Sequence, residues 1–327
     1  MECFVSQKPR LAIIGTGSIS DFHVAAATSI GFSVDHVAAS PNSSTIATFA
    51  KKHLISNTWS SPIELVESFH QWDAIVLATT TEAQTQLVEL AMRSEKPVLA
   101  EKPVGISSKQ IEHLVEHSEN VLVGFNRRYY APVQEAKKFV DMGGPCIVRV
   151  ELPESAPWNV ELGRRDNKQV RLNSVHGFDL LNYLFPHDAK TLNFNRYLLP
   201  DSRGGVLVTN SKKGDICTIV ANWNAPANFS ITIDRDEERF ELRPLEYGFR
   251  YQGMESVEPS KDSPIRKYIP QIVDRYLPNL ESVEFKPGFI GQYRELLLMI
   301  NGEKPRIGAT LQDAKIALQF AEALISG

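Results

Sequence analysis

Leu11-Ala12-Ile13-Ile14-Gly15-Thr16-Gly17-Ser18-Ile19-Ser20 decides the fold. The continuous apolar run 11–14 suits a parallel strand covered on both faces. The glycines then open a turn into a helix across 22–30. In such a strand–turn–helix unit the first glycine permits the tight turn. The second lets the backbone approach a pyrophosphate, whose charge is favoured by helix-terminal amides. The third fingerprint position, ordinarily glycine, is Ser20. The stretch predicts dinucleotide binding at Gly15, Thr16, Gly17, Ser18 and Ile19; an ordinary glycine-rich βα turn is the alternative.

Outward from this stretch, strands at 33–39, 73–78, 97–100 and 121–125 alternate with helices at 44–53 and 82–92. A capping box at Ser107 and Gln110 predicts one more helix, with Ile111, Leu114 and Val115 on its apolar face. Strand–helix alternation predicts a doubly wound parallel sheet. After about residue 125 the pattern changes. A helix across 133–142 stops at Gly143-Gly144-Pro145. Extended runs follow at 146–152, 191–198, 205–209, 216–223, 229–234 and 240–244. Several alternate apolar and polar residues, as in a sheet with one solvated face, and the turns at 203–205 and 213–215 suggest antiparallel hairpins. The Pro- and charge-rich residues 255–290 read as an irregular excursion. Thr310 and Asp313 open a last helix. The predicted division is a dinucleotide-binding domain, 1–125, and an α+β domain, 126–327.

With 327 residues, 43% hydrophobic and 23% charged, the chain suits two ordinary globular domains. A net charge of −4 argues against a general nucleic-acid binder. No apolar run is long enough to span a bilayer, and the start has no signal-peptide pattern. Cys3, Cys146 and Cys217 are odd in number and widely spaced, which fits reduced thiols in a cytoplasm and no metal site.

Two further motifs carry chemistry. Ala100-Glu101-Lys102-Pro103 ends a short strand, and Asn173-Ser174-Val175-His176-Gly177-Phe178-Asp179 lies in the second domain. When hydride leaves a carbinol carbon, the O–H proton must leave too. A lysine whose pKa is lowered by burial or a neighbouring cation can take it.

With the glycine fingerprint, these motifs resemble the glucose–fructose oxidoreductase/inositol dehydrogenase/MocA (Gfo/Idh/MocA) family. The resemblance covers nearly the whole chain and is strongest through 10–130. It implies an N-terminal Rossmann domain and a C-terminal α+β domain with a large open, mostly antiparallel sheet. It implies Lys102 as proton donor or acceptor, Glu101 on the nicotinamide ribose, and Pro103 after a cis peptide. Thr79 matches a strand-end loop signature from which Thr80, Thr81 and Gln84 depart; helix capping by Thr81 is the plainer expectation there. His176 matches the family's histidine, with Asp179 three residues on. The aspartate usual four residues before it is Leu172, which puts the standard proton relay in doubt.

Arg127, Arg128 and Tyr129 resemble a junction segment. Arg128 and Tyr129 are expected to be structural, while Arg127 is open between junction and cleft. Trp158, Arg164, Arg165, Lys168 and Arg171 are either a solvated charged face or a place for a substrate anion. Lys102, Arg127, Trp158, Asn173 and His176 are the substrate-binding candidates. At Ser40, where NAD enzymes usually carry a carboxylate, there is none, and the expectation tilts from NAD to NADP.

The expected activity is hydride transfer between nicotinamide and a secondary alcohol or ketone of a sugar, cyclitol or nucleotide-sugar, in a homo-oligomer formed through the C-terminal sheet. The alternatives are a dinucleotide sensor without turnover, or a lyase or hydrolase that oxidises transiently with bound NAD.

Overall fold

The computed structural model describes residues 8–155, 158–161, 163–165, 170–279, 281 and 284–325, with backbone only at 158–159, 164–165 and 170–171. The chain divides into two units: residues 1–129 with 280–318, and residues 130–279 with 319–327. A single boundary at 125/126 does not describe this division, because 280–318 returns to the first unit.

The first unit holds β1 (Arg10–Ile14), α1 (Ser18–Ile30), β2 (Ser33–Ala38), α2 (Ile46–His53), β3 (Asn57–Trp59), α3 (Pro62–Glu67), β4 (Ala74–Leu77), α4 (Thr81–Met92), β5 (Val98–Ala100) and β6 (Val121–Val123). The strands form a parallel sheet in the order β3-β2-β1-β4-β5-β6. Every residue of β4, β5 and β6 is buried, as a sheet covered on both faces requires.

The sequence reading missed α7 (Phe289–Ile300), which packs on α1 and buries Phe289, Ile290, Tyr293 and Leu296 in one core with Leu11, Ile13, Val24 and Phe32. Each such side chain contributes about 1.5–3 kcal/mol. The expected helix after Ser107 is not an α-helix. Ser107 Oγ accepts from Gln110 N at 3.2 Å, but the Gln110 side chain caps Ile106 N at 2.8 Å. Ile111 then packs so close to Gly105 that a Cβ there would lie 2.7 Å away. Tight turns result, followed by a 3₁₀ segment, Glu112–His117.

In the second unit α5 (Ala131–Asp141) and α6 (Val175–Leu184) lie with an eight-stranded sheet. Its strands are β7 (Ile147–Leu152), β10 (Asn195–Leu198), β11 (Gly205–Asn210), β12 (Ile216–Ala221), β13 (Ser230–Arg235), β14 (Glu238–Leu242), β15 (Gly248–Val257) and β16 (Lys267–Tyr276); the short pair β8 (Trp158–Asn159) and β9 (Arg164–Arg165) stands apart. The order is β10-β11-β12-β7-β13-β14-β15-β16, antiparallel except for β12 with β7. Val148, Val150 and Leu152 face inward from β7 by strict alternation. Gly177 lets α6 approach them, since a Cβ there would lie 2.6 Å from Leu152.

Residues 255–290 are only in part the irregular excursion expected: 258–266 and 277–279 lie outside helices and strands, but 255–257 and 267–276 are strand. β15 and β16 form a long hairpin whose residues are mostly exposed, so no burial alternation marks them. Pro270 is accommodated opposite Met254, beside a register irregularity. The last helix, α8 (Leu311–Ile325), opens as expected. Asp313 N donates to Thr310 Oγ1 at 3.2 Å, and Thr310 N donates back to Asp313 at 2.9 Å.

Candidate active site

β1 and β4 are neighbours at the point where strand order reverses, and their carboxyl ends are where such sheets take ligands. The two glycines after β1 do different jobs. Gly15 has φ +112, its N donates to Ala38 O at 2.8 Å, and a Cβ there would meet Ala78 O at 2.0 Å. The fold itself requires this glycine. Gly17 has φ −75, which any residue adopts, and a Cβ there would meet no atom within 4 Å. Nothing among the described residues requires its smallness. It is the N-cap of α1; Ser20 N donates back to Gly17 O at 2.9 Å, and no side-chain cap occupies the helix start. A pyrophosphate fits that setting. Ser18 is exposed and Ile19 half-buried in the first turn, and Ser20 fits the third glycine's place fully buried.

The loop after β2 presents hydroxyls. Thr16 Oγ1 lies 2.6 Å from Thr45 Oγ1, which lies 3.0 Å from Ser43 Oγ; Ser40 is exposed beside them, its carbonyl accepting from Ser43 N. Thr45 and Ser43 escaped the sequence reading because hydroxyls before a helix look like caps; Thr45 is the α2 N-cap but makes no side-chain cap bond. Lys51 and Lys52 sit in the last turn of α2, and Lys52 pairs with Asp21 at 2.9 Å. Lys52 and His53 hold the Asp21 carboxyl below its ordinary range.

Glu101 is the hub at the end of β5. Its Oε1 lies 3.1 Å from His23 Nε2, and His23 Nδ1 lies 3.0 Å from the Tyr293 hydroxyl. The His23 side chain is fully buried and Glu101 is 12% exposed. Lys102 N donates to Glu101 Oε2 at 3.3 Å, and a Cβ on Gly124 would lie 3.0 Å from Oε1. Burial opposes ionisation of Glu101. The hydrogen bond from His23 and the charges of His23, Lys102 and Lys286 outweigh it, holding the carboxyl below its ordinary range. Burial lowers Lys286, Glu101 opposing and Arg127 adding to the effect. The Lys286 ammonium stands 5.4 Å and 5.5 Å from the Phe22 and Phe289 rings.

The Lys102–Pro103 peptide is cis. Its approach is set by Gln84, also unread as a site residue. Gln84 Nε2 donates to Leu77 O at 2.8 Å and Glu101 O at 3.0 Å, and Thr79 Oγ1 donates to Gln84 Oε1 at 2.6 Å. One buried amide thus ties the ends of β4 and β5. Thr80, not Thr81, is the N-cap of α4, and it makes no side-chain cap bond. Arg128 pairs with Asp313 at 3.3 Å, and Tyr129 packs against Gly291. Arg127 is half-buried.

His176 lies in the second unit, buried in the first turn of α6, with Asp179 buried after it. Leu172 is exposed. A carboxylate absent from the sequence reading stands nearby. Glu154 accepts from Ser174 N at 2.8 Å, Ser174 Oγ at 2.5 Å and Asn173 Nδ2 at 2.5 Å. Glu154 lies two residues past the end of β7 and is buried. Lys168 and the side chains of Trp158, Arg164, Arg165 and Arg171 lie outside the described residues. Among the described residues no group of three metal-type donors occurs, and no helix is long and apolar enough to cross a membrane.

Residues 9–123 match the model of GFO_IDH_MocA, the oxidoreductase family with an NAD-binding Rossmann fold. Myo-inositol 2-dehydrogenase of Thermotoga maritima is 22% identical over 218 residues, which span 64% of this chain and 63% of that protein. A levoglucosan dehydrogenase solved with NADH and levoglucosan superposes with a TM-score of 0.72 at 14% identity, covering 98% of this chain and 96% of that one. A UDP-N-acetylglucosamine 3-dehydrogenase from Acidithiobacillus ferrooxidans gives 0.71 at 15% identity, covering 96% and 95%. At these identities the structural likeness establishes the fold.

Proposed function

We propose, from the match of residues 9–123 to the Gfo/Idh/MocA oxidoreductase family, that the chain is an NAD(P)-dependent dehydrogenase or reductase acting on a secondary alcohol or ketone of a sugar, cyclitol or nucleotide-sugar. The observation that carries the reading is the open clearance at Gly17 before the uncapped start of α1. Gly15, Thr16, Gly17, Ser18 and Ile19 hold the pyrophosphate. Thr79 and Thr80 line the adjacent strand end. Glu101 accepts from the nicotinamide ribose hydroxyls, with Pro103 closing the turn that follows. The dinucleotide, when bound, supplies the hydride acceptor or donor. Lys102 Nζ takes the carbinol proton in oxidation and returns it in reduction. His176 assists, and Asn173, Arg127 and Trp158 complete the substrate-binding set. The named relatives act on polyhydroxylated rings, which supports the substrate class.

The hydroxyl cluster of Thr16, Ser43 and Thr45, with Ser40 and no carboxylate beside it, supports NADP over NAD. Titration should give a smaller dissociation constant for NADPH than for NADH. Ser40→Asp should weaken NADPH by about tenfold or more, since a new carboxylate would face a 2′-phosphate, and should strengthen NADH. Clearly tighter NADH binding by the wild type would refute the NADP preference. A folded protein that binds neither would refute the dinucleotide reading.

The compartment is read as cytoplasmic, in keeping with the free thiols Cys146 and Cys217. Assembly through the second unit's sheet is supported by exposed Met254, Tyr268, Ile269, Ile272 and Val273 on its outermost hairpin. Sedimentation should give a dimer or tetramer that charged substitutions at Ile269 and Ile272 dissociate; a monomer at micromolar concentration would contradict the assembly.

A further inference from the structure

From the geometry of the first unit we infer that His23 and Tyr293 are positioning residues that hold the Glu101 carboxylate toward the nicotinamide half of the dinucleotide. The inference rests on the dinucleotide reading above and deepens it.

Three segments far apart in sequence meet here: α1 brings His23, β5 brings Glu101, and the returning helix α7 brings Tyr293. The family match ends at residue 123 and does not include α7. A carboxylate has no proton to give, so His23 Nε2–H donates to Glu101 Oε1 at 3.1 Å. In a neutral ring Nδ1 is then an acceptor for the Tyr293 hydroxyl, 3.0 Å away; in a protonated ring both nitrogens donate and that hydroxyl accepts, with Nε2–H still on Glu101. Tyr293 keeps its proton because burial, with Glu101 adding, pushes the phenol well above its ordinary value. In the neutral ring the phenol thus selects the tautomer that serves Glu101.

The ring cannot turn away easily. His23 is fully buried, its centroid 4.8 Å from the Phe289 ring and 6.0 Å from the Tyr293 ring. Gly124 closes the other side of the carboxylate, where even a Cβ would stand 3.0 Å from Oε1. The Lys102 amide holds Oε2. A carboxylate fixed this way can spend its remaining acceptor capacity on one ligand geometry, which is what recognition of a ribose diol needs. A role confined to packing would not require a donor at Tyr293 or an N–H at His23.

The test compares two ligands. NADH or NADPH, whichever the wild type binds more tightly, carries the nicotinamide ribose; ADP carries only the adenosine diphosphate half. Tyr293→Phe removes one hydroxyl and should weaken the dinucleotide about 3–10-fold while leaving ADP unchanged. His23→Leu should weaken it more than tenfold, again without moving ADP, and His23→Gln, which keeps an N–H donor, should recover most of that loss. In a Glu101→Gln background Tyr293→Phe should add little.

Wild-type dinucleotide affinity in both Tyr293→Phe and His23→Leu would overturn the inference. Equal loss of dinucleotide and ADP would overturn it too, by showing general damage to the unit. A wild type that binds neither ligand would bring down the dinucleotide reading, and this inference with it.

Discussion

Lys102→Met is expected to lower turnover by about 10²–10⁴-fold while dinucleotide affinity stays within a few-fold of wild type, because general acid–base assistance is typically worth that much in rate. Methionine keeps the length of the side chain and removes the proton carrier. The backbone should hold its place. Glu101 O is fixed by Gln84, and the bond from residue 102 to Glu101 Oε2 comes from the main-chain N–H. The loss should therefore appear in the rate constant for turnover and hardly in binding. His176→Ala should cost less, since the position of its customary aspartate is the exposed Leu172. Steady-state rates on a turned-over polyol, with cofactor titrations beside them, separate the two effects. Near-normal turnover in Lys102→Met would overturn the proposed chemistry.

The second large effect divides two glycines only two residues apart. Gly15→Val should destabilise the fold by about 2–6 kcal/mol, from a positive-φ penalty together with forced displacement. The added Cβ would lie 2.0 Å from Ala78 O, so the turn after β1 or the end of β4 must move. The melting temperature should fall by roughly 5–20 °C. Gly17→Val should do the reverse. Its backbone already suits valine and its surroundings are empty. Stability should shift by no more than about 1 kcal/mol, the scale of a changed N-cap, while dinucleotide affinity falls more than tenfold. Thermal melts and fluorescence titrations on both variants check this. Unchanged cofactor affinity in a folded Gly17→Val protein would remove the fingerprint from the site.

Much of this layout was legible where one residue pattern had one physical cause. The apolar runs at 11–14 and 74–77 could only be strands covered on both faces, and they placed the glycine turn and the Glu101–Lys102 corner. Alternation through β7, β11 and β12 likewise exposed a sheet with one wet face. Legibility failed where partners are distant. Nothing local in Phe289–Ile300 says that it returns to the first sheet, and nothing in Tyr293 says that its hydroxyl meets His23, 270 positions away. The β15–β16 hairpin was illegible for a different reason: backbone pairing holds it, while most of its side chains stay in solvent. Gln84 and Glu154 were hidden by their residue type. A buried amide or carboxylate reads as surface until its donors and acceptors are seen.

The most direct test of the central claim is absorbance at 340 nm on the purified wild-type protein, with NAD⁺ and NADP⁺ offered against a panel of cyclitols, sugars and nucleotide-sugars. A sustained rise is expected with at least one polyol, in step with formation of the ketone and abolished by Lys102→Met. A folded protein that binds the dinucleotide and yields no rise with any member of the panel would contradict it, as would product formed without net reduction of the cofactor.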